Sequence, residues 1–104
     1  MYHIYVYVPE AHVEDVKTAM FAVGAGRIGN YDCCAWQTLG EGQYRPREGA
    51  APFIGELDRI ERVREFRVEM VCEDTVLADV VAAMRRAHPY EEPAFGALRL
   101  AETA

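Results

Sequence analysis

Val8-Pro-Glu-Ala-His-Val-Glu-Asp-Val-Lys-Thr-Ala-Met-Phe-Ala-Val-Gly24 and Cys72-Glu-Asp-Thr-Val-Leu-Ala-Asp-Val-Val-Ala-Ala-Met-Arg-Arg-Ala-His88 are two versions of one helical pattern. A shift of 64 positions lays Asp15 on Asp79, Val16 on Val80, Ala19 on Ala83 and Met20 on Met84, with Val13 over the similar Leu77. In the first copy Val13, Val16, Met20 and Val23 recur at the spacing of one helix face. Each copy runs into a loop marked by glycine or proline: Gly24-Ala-Gly-Arg-Ile-Gly-Asn-Tyr31 after the first, His88-Pro-Tyr-Glu-Glu-Pro93 after the second. Repetition of this kind inside one chain implies a doubled supersecondary unit.

Strands flank both copies. Tyr2, Ile4, Val6 and Val8 alternate with Tyr5 and Tyr7 over Met1–Val8, a period-2 pattern with apolar or aromatic side chains on both faces. Such a strand belongs in the middle of a sheet or under another subunit. The first helix is expected from Glu10 or Ala11 to Val23, its start favoured by Glu10, Glu14 and Asp15 and its end set by Gly24 and Gly26. Tyr31–Leu39 reads as a second strand, Gly40-Glu-Gly42 as a turn, and Gln43–Arg45 as the start of a third element or a hairpin arm. Residues 46–56 read as a loop with Phe53 and Ile54 at its tip, Leu57–Val63 as a short strand and Glu65–Cys72 as a clear one. The second helix is expected over Thr75–Ala87, capped by Asp74 or Thr75 and ended where Pro89 forces His88 out of the helical region. Phe95–Leu100 completes the set. A doubled β-α-β unit with right-handed crossovers gives an α+β, ferredoxin-like (split β-α-β) sandwich: one antiparallel sheet with two helices on one face.

With 104 residues, 51% hydrophobic and 27% charged, the expectation is a single globular domain over 1–104. A net charge of −6 disfavours nucleic acid, which recruits a basic stripe. No apolar run approaches the roughly 20 residues of a membrane span and no signal peptide is visible, so a cytoplasmic location without membrane contact is expected. The odd set Cys33, Cys34 and Cys72 supports neither a disulfide framework nor a zinc ribbon, and reads as small apolar residues in strands. Serine is absent, which removes serine-nucleophile hydrolysis. No catalytic nucleophile–base pair stands out.

Two loops hold the candidate ligand-binding residues. Gly24–Gly29 matches G-x-G-x-x-G formally, but it closes a helix instead of opening one, so the dinucleotide mechanism does not apply. Helix capping with a tight turn is the plain reading, and an anion nest formed by Gly26, Arg27, Gly29, Asn30 and Tyr31 is the functional one. His88, Tyr90, Glu91 and Glu92 unite an imidazole, a phenol and two carboxylates on a proline-stiffened loop. They suit a small ligand or, through His88 and Glu91, a divalent metal; the plain reading is an exit loop whose His88 complements the helix dipole as a cation. The topology puts Pro9–His12, Gly40–Gly55 and His88–Pro93 at one end of the sheet and Gly24–Tyr31 at the other, so the two candidate loops can meet only across a subunit interface. His12 reads as an exposed first-turn residue and His3 as a packed or interface residue.

Gly24–Cys33, Arg45–Gly55 and His88–Ala94 together resemble the small domain of bacterial members of the NGG-interacting factor three family, also called the dinuclear metal-centre or GTP cyclohydrolase type-one-like family. The resemblance covers residues 2–100. It implies a PII/CutA-like fold, a homo-oligomer expected to be a trimer, and a module that longer members insert into a metal-binding domain. The two-metal site of that larger domain has no counterpart here: the three histidines form no H-x-x-x-D-H-like pattern. Ala51 stands where a polar Asn is expected. The leading expectation is a non-enzymatic regulatory module binding a small ligand or metal of unknown identity. The alternatives are an interaction module docking an unknown protein through Phe53 and Ile54, and a metal-dependent hydrolase, which rests on the family name alone.

Overall fold

The computed structural model describes residues 1–103. Strand β1 (Tyr2–Pro9) leads through a short 3-10 turn into helix α1 (Val13–Ala22). Strands β2 (Trp36–Tyr44) and β3 (Glu61–Cys72) follow. A second 3-10 turn then enters helix α2 (Leu77–Ala87), and strand β4 (Phe95–Arg99) ends the sheet. The strand order is β2-β3-β1-β4 with every neighbouring pair antiparallel. This is the expected four-stranded sheet with two helices, and β1 is central as its two apolar faces require.

Alternation decides which side chains meet the helices. Ile4, Val6 and Val8 of β1 and Val68, Met70 and Cys72 of β3 are buried against Val13, Val16 and Met20 of α1 and Val80 and Met84 of α2. The repeated residues Val16/Val80 and Met20/Met84 are all fully buried, whereas Asp15 and Asp79 are exposed. The doubled pattern is therefore the imprint of two helices sharing one core, where each buried Val or Met side chain contributes about 1.5–3 kcal/mol. The opposite face of the sheet carries no helix and presents a polar and aromatic surface that includes Tyr5, Tyr7, Arg67 and Trp36. Among the described residues no helix is long and apolar enough to cross a membrane.

Several boundaries differ from expectation for physical reasons. Gly40-Glu-Gly42 is not a turn: β2 runs straight through it, paired to β3 from Trp36↔Glu69 to Tyr44↔Glu61. Residues 31–35 lie outside the strand, and Cys33 takes a positive φ of 53°. The two segments expected over Leu57–Val63 and Glu65–Cys72 are one twelve-residue strand, Glu61–Cys72, because pairing with β2 extends it past the polar Arg62 and Arg64. No side chain caps α2; Asp74 instead binds the N-terminal ammonium and, at 3.0 Å, Arg99. Those two cations hold its carboxyl below the ordinary 3.8. Of the cysteines, Cys72 is a buried strand residue as expected, but Cys33 is exposed.

Candidate functional site

Because β1 and β2 point one way and β3 and β4 the other, the connections after β1, β2 and α2 gather at one end of the sheet. Pro89 sets the third of them: His88 leaves α2 extended, at φ −76° and ψ 135°. Its ring turns inward and is only 6% exposed. Nε2 lies 2.7 Å from the Tyr7 carbonyl and Nδ1 lies 3.1 Å from the Tyr90 amide. A carbonyl only accepts and an amide N–H only donates, so the imidazole is neutral with its proton on Nε2. Burial pushes its pKa below the ordinary 6.5, against the opposing pull of the Tyr7 hydrogen bond. The expected helix-capping cation is thus a neutral, internal strut. His12 is likewise not a free surface residue: its ring meets Phe53 edge-on at 5.5 Å and its Nδ1 is buried without a partner.

The strut fixes Tyr90. Its ring stacks edge-on against Tyr44 at 5.7 Å, and its hydroxyl is buried with no hydrogen-bond partner. The Glu65 carboxylate and the Tyr44 hydroxyl lie beside it. Burial, reinforced by the Glu65 charge, pushes the Tyr90 phenol far above its ordinary 10.0. The Tyr44 hydroxyl is committed elsewhere, donating to the Ile54 carbonyl at 2.6 Å. That bond ties the tip of the 45–60 connection to the end of β2. A second tie runs from the Ala51 amide to Glu91 Oε1 at 3.1 Å. Beneath this roof lies a cavity of about 700 Å³ on the helix-free face of the sheet, walled by Tyr7, Tyr44, Phe53 and Tyr90, with Glu65 and Glu91 among its polar groups. This is the volume range of small-molecule sites, and aromatic walls with a few polar groups are their usual composition.

Tyr90, Glu91 and Glu92 from the sequence-derived set line this cavity, and His88 supports it from behind. Gly26, Arg27, Gly29, Asn30 and Tyr31 lie at the other end of the sheet. There the Gly26 amide donates to Val71 and its carbonyl accepts from Cys34, both at 2.8 Å, so this residue is stitched to the sheet. Ile28 and Tyr31 close a tight turn by mutual backbone bonds. Arg27 borders a separate, smaller concavity with Gly24 and Thr75. The expected metal pair does not fit its surroundings: both His88 nitrogens are spent on backbone and Glu91 Oε1 on Ala51. Among the described residues no three His, Cys, Asp or Glu side chains cluster as a metal site would.

Sequence reading missed Glu65, Tyr44, Tyr7 and Gly42. Glu65 hid inside an ordinary alternating strand. The available signal was Gly42, since a glycine within a strand marks a close approach of other groups. Here a Cβ at position 42 would overlap the Glu65 carboxylate.

No protein-family model matches the chain. A Mycobacterium leprae protein named GTP cyclohydrolase 1 type 2 homolog is 51% identical over 90 residues, 86% of this chain and 23% of the relative. The crystal structure of a Bacillus cereus protein related to NIF3 superposes with a TM-score of 0.83 and 37% identity, over 97% of this chain and 26% of that one. CutA from Archaeoglobus fulgidus, a periplasmic divalent cation tolerance protein, gives a TM-score of 0.70 at 18% identity, covering the whole chain and 88% of its own. That likeness establishes the fold alone. The chain spans about a quarter of the length of the curated relatives it matches. The chain thus matches a quarter-length, CutA-like segment of proteins of the NIF3-like family.

Proposed function

We propose that the chain is a non-enzymatic, PII/CutA-like module of the cytoplasm that self-associates as a trimer and exerts regulation by binding a small ligand. The observation that carries this reading is the roofed cavity of about 700 Å³ between Tyr44, Phe53 and Tyr90. It stands on three independent connections pinned together, so its shape precedes any ligand and little ordering entropy opposes binding. Self-association is supported by the helix-free face, where Trp36 and Leu98 are 69% and 58% exposed. In such an assembly the Gly24–Tyr31 loop of a neighbouring copy supplies the second wall of the site. A thermal-shift screen of nucleotides, metabolites and metals tests the reading, because a hundredfold excess over Kd stabilises by about 2.7 kcal/mol. Uniform silence across the screen, with light scattering showing monomer at micromolar concentration, would overturn it.

A second reading, docking of a protein partner, is favoured by Phe53, which is 55% exposed at the loop tip, with Ile54 half-buried beside it. It requires that Ala at both positions abolish partner capture while the melting temperature holds. A metal-dependent hydrolase rests on the name of relatives four times as long, and stoichiometric divalent metal in the purified protein is its minimum requirement.

A further inference from the structure

Glu65 is a carboxylate without a counter-ion. It is only 9% exposed, yet no cation among the described residues pairs with it, and its polar neighbour is the Tyr90 hydroxyl. The nearby cations are engaged or outside: Arg67 donates to the Tyr7 hydroxyl at 2.7 Å and sits over the Tyr5 ring, Arg47 pairs with Asp58 at 3.2 Å, and Arg45 is exposed. A buried carboxylate without a counter-ion is expensive, and such groups persist where something else completes them. Three features show how the fold keeps it in place. Gly42 removes the side chain that would occupy its position. Tyr44 and Tyr90 stand beside it as aromatic walls. The cavity they line opens onto Glu65 itself.

We propose that Glu65 anchors the ligand of this cavity, and that the ligand is a flat organic cation or heteroaromatic ring presenting an amidine-like pair of N–H donors. A carboxylate accepts two parallel N–H bonds in one plane, the geometry of amidinium and guanidinium groups. The tyrosine rings favour a planar cationic body through their faces. Anions are disfavoured, since the deepest charge in the site is negative. This inference rests on the reading of the cavity as a ligand site and specifies what it takes.

The test is calorimetric titration of the whole chain with benzamidine, with neutral benzamide and with benzoate, repeated on Glu65→Gln and on Gly42→Ala. Benzamidine is expected to bind at millimolar or better affinity and benzoate not at all. Removing the charge in Glu65→Gln should weaken benzamidine about tenfold to a hundredfold, the range for a charge-assisted bond, and leave benzamide unchanged. Gly42→Ala, which displaces the carboxylate, should reproduce the loss. The melting temperature of Glu65→Gln should hold or rise, because an unpaired buried charge has been removed. Equal binding of benzamidine to wild type and Glu65→Gln, or benzoate binding as well as benzamidine, overturns the anchor and leaves the cavity reading standing. Silence of all three probes overturns both. A marked fall in the melting temperature of Glu65→Gln also overturns the anchor, since it would mean that a protein cation, from this chain or a neighbouring copy, completes Glu65.

Discussion

The exits of the two helices pose the same problem and are solved differently. Both copies of the repeat must stop a helix and return the chain to the sheet. After α1 the chain uses glycine: Gly24 and Gly26 adopt φ of 110° and 76°, and the loop is tied down through backbone bonds. After α2 it uses Pro89 and a buried imidazole that bridges Tyr7 of β1 and the Tyr90 amide. The glycine solution is complete in itself and leaves exposed side chains around a small concavity. The histidine solution orients the residue two positions on, so Tyr90 becomes a wall of the cavity. The unequal exits close one end of a nearly symmetric fold with backbone bonds and leave an aromatic-walled cavity at the other.

The comparison breaks first at His88. His88→Ala removes both bridging bonds and leaves a carbonyl and an amide unpaired around a void; a loss of about 3–5 kcal/mol in urea unfolding is expected. Gly26→Ala probes the other exit. It forces a Cβ to within 2.7–2.8 Å of the Phe21 ring and the Cys34 carbonyl at a positive φ, and about 2–3 kcal/mol should be lost. Gly29→Ala, at φ 57° with open space around it, should cost only about 1 kcal/mol in the same assay. If Gly29 proves as sensitive as Gly26, strain at positive φ and not packing governs that loop.

The exits should also separate by pH. The folded pKa of His88 lies below its unfolded value of about 6.5, so the unfolded state binds more protons once pH falls beneath that value. Stability is therefore fully present above pH 6.5 and declines as pH drops toward the depressed folded pKa. His88→Asn should flatten the dependence of the urea midpoint between neutrality and about pH 5. Gly26→Ala should leave the slope unchanged. Asp74, whose carboxyl is held low by the N-terminal ammonium and Arg99, acts in the same direction but only nearer its ordinary 3.8, so the two steps are resolvable. The smallest effect is expected at Phe53→Ala, within about 0.5 kcal/mol of wild type, because its ring is more than half exposed.

Much of the fold was legible beforehand for one reason. Periodicity belongs to neighbouring residues, and Val16/Val80 with Met20/Met84 announce two helices that share one core. The position of the loops followed, since antiparallel pairing and crossover handedness leave few choices. The failures came where local chemistry was ambiguous. Gly40-Glu-Gly42 has the composition of a turn, but pairing to β3 outweighs that preference and makes it strand. His88 beside a helix end looks like a surface cation, and only packing against β1 shows it to be buried and neutral.

By itself, then, the chain's order of residues determined a doubled α+β sandwich and the sheet end at which Tyr90, Glu91 and Glu92 would gather. Tertiary structure alone decided that Glu65 lies buried over a glycine, beside two tyrosines and beneath a connection tied down by Tyr44 and Glu91. Helix and strand periods are written over a few adjacent positions, whereas the surroundings of a single carboxylate depend on three distant segments meeting.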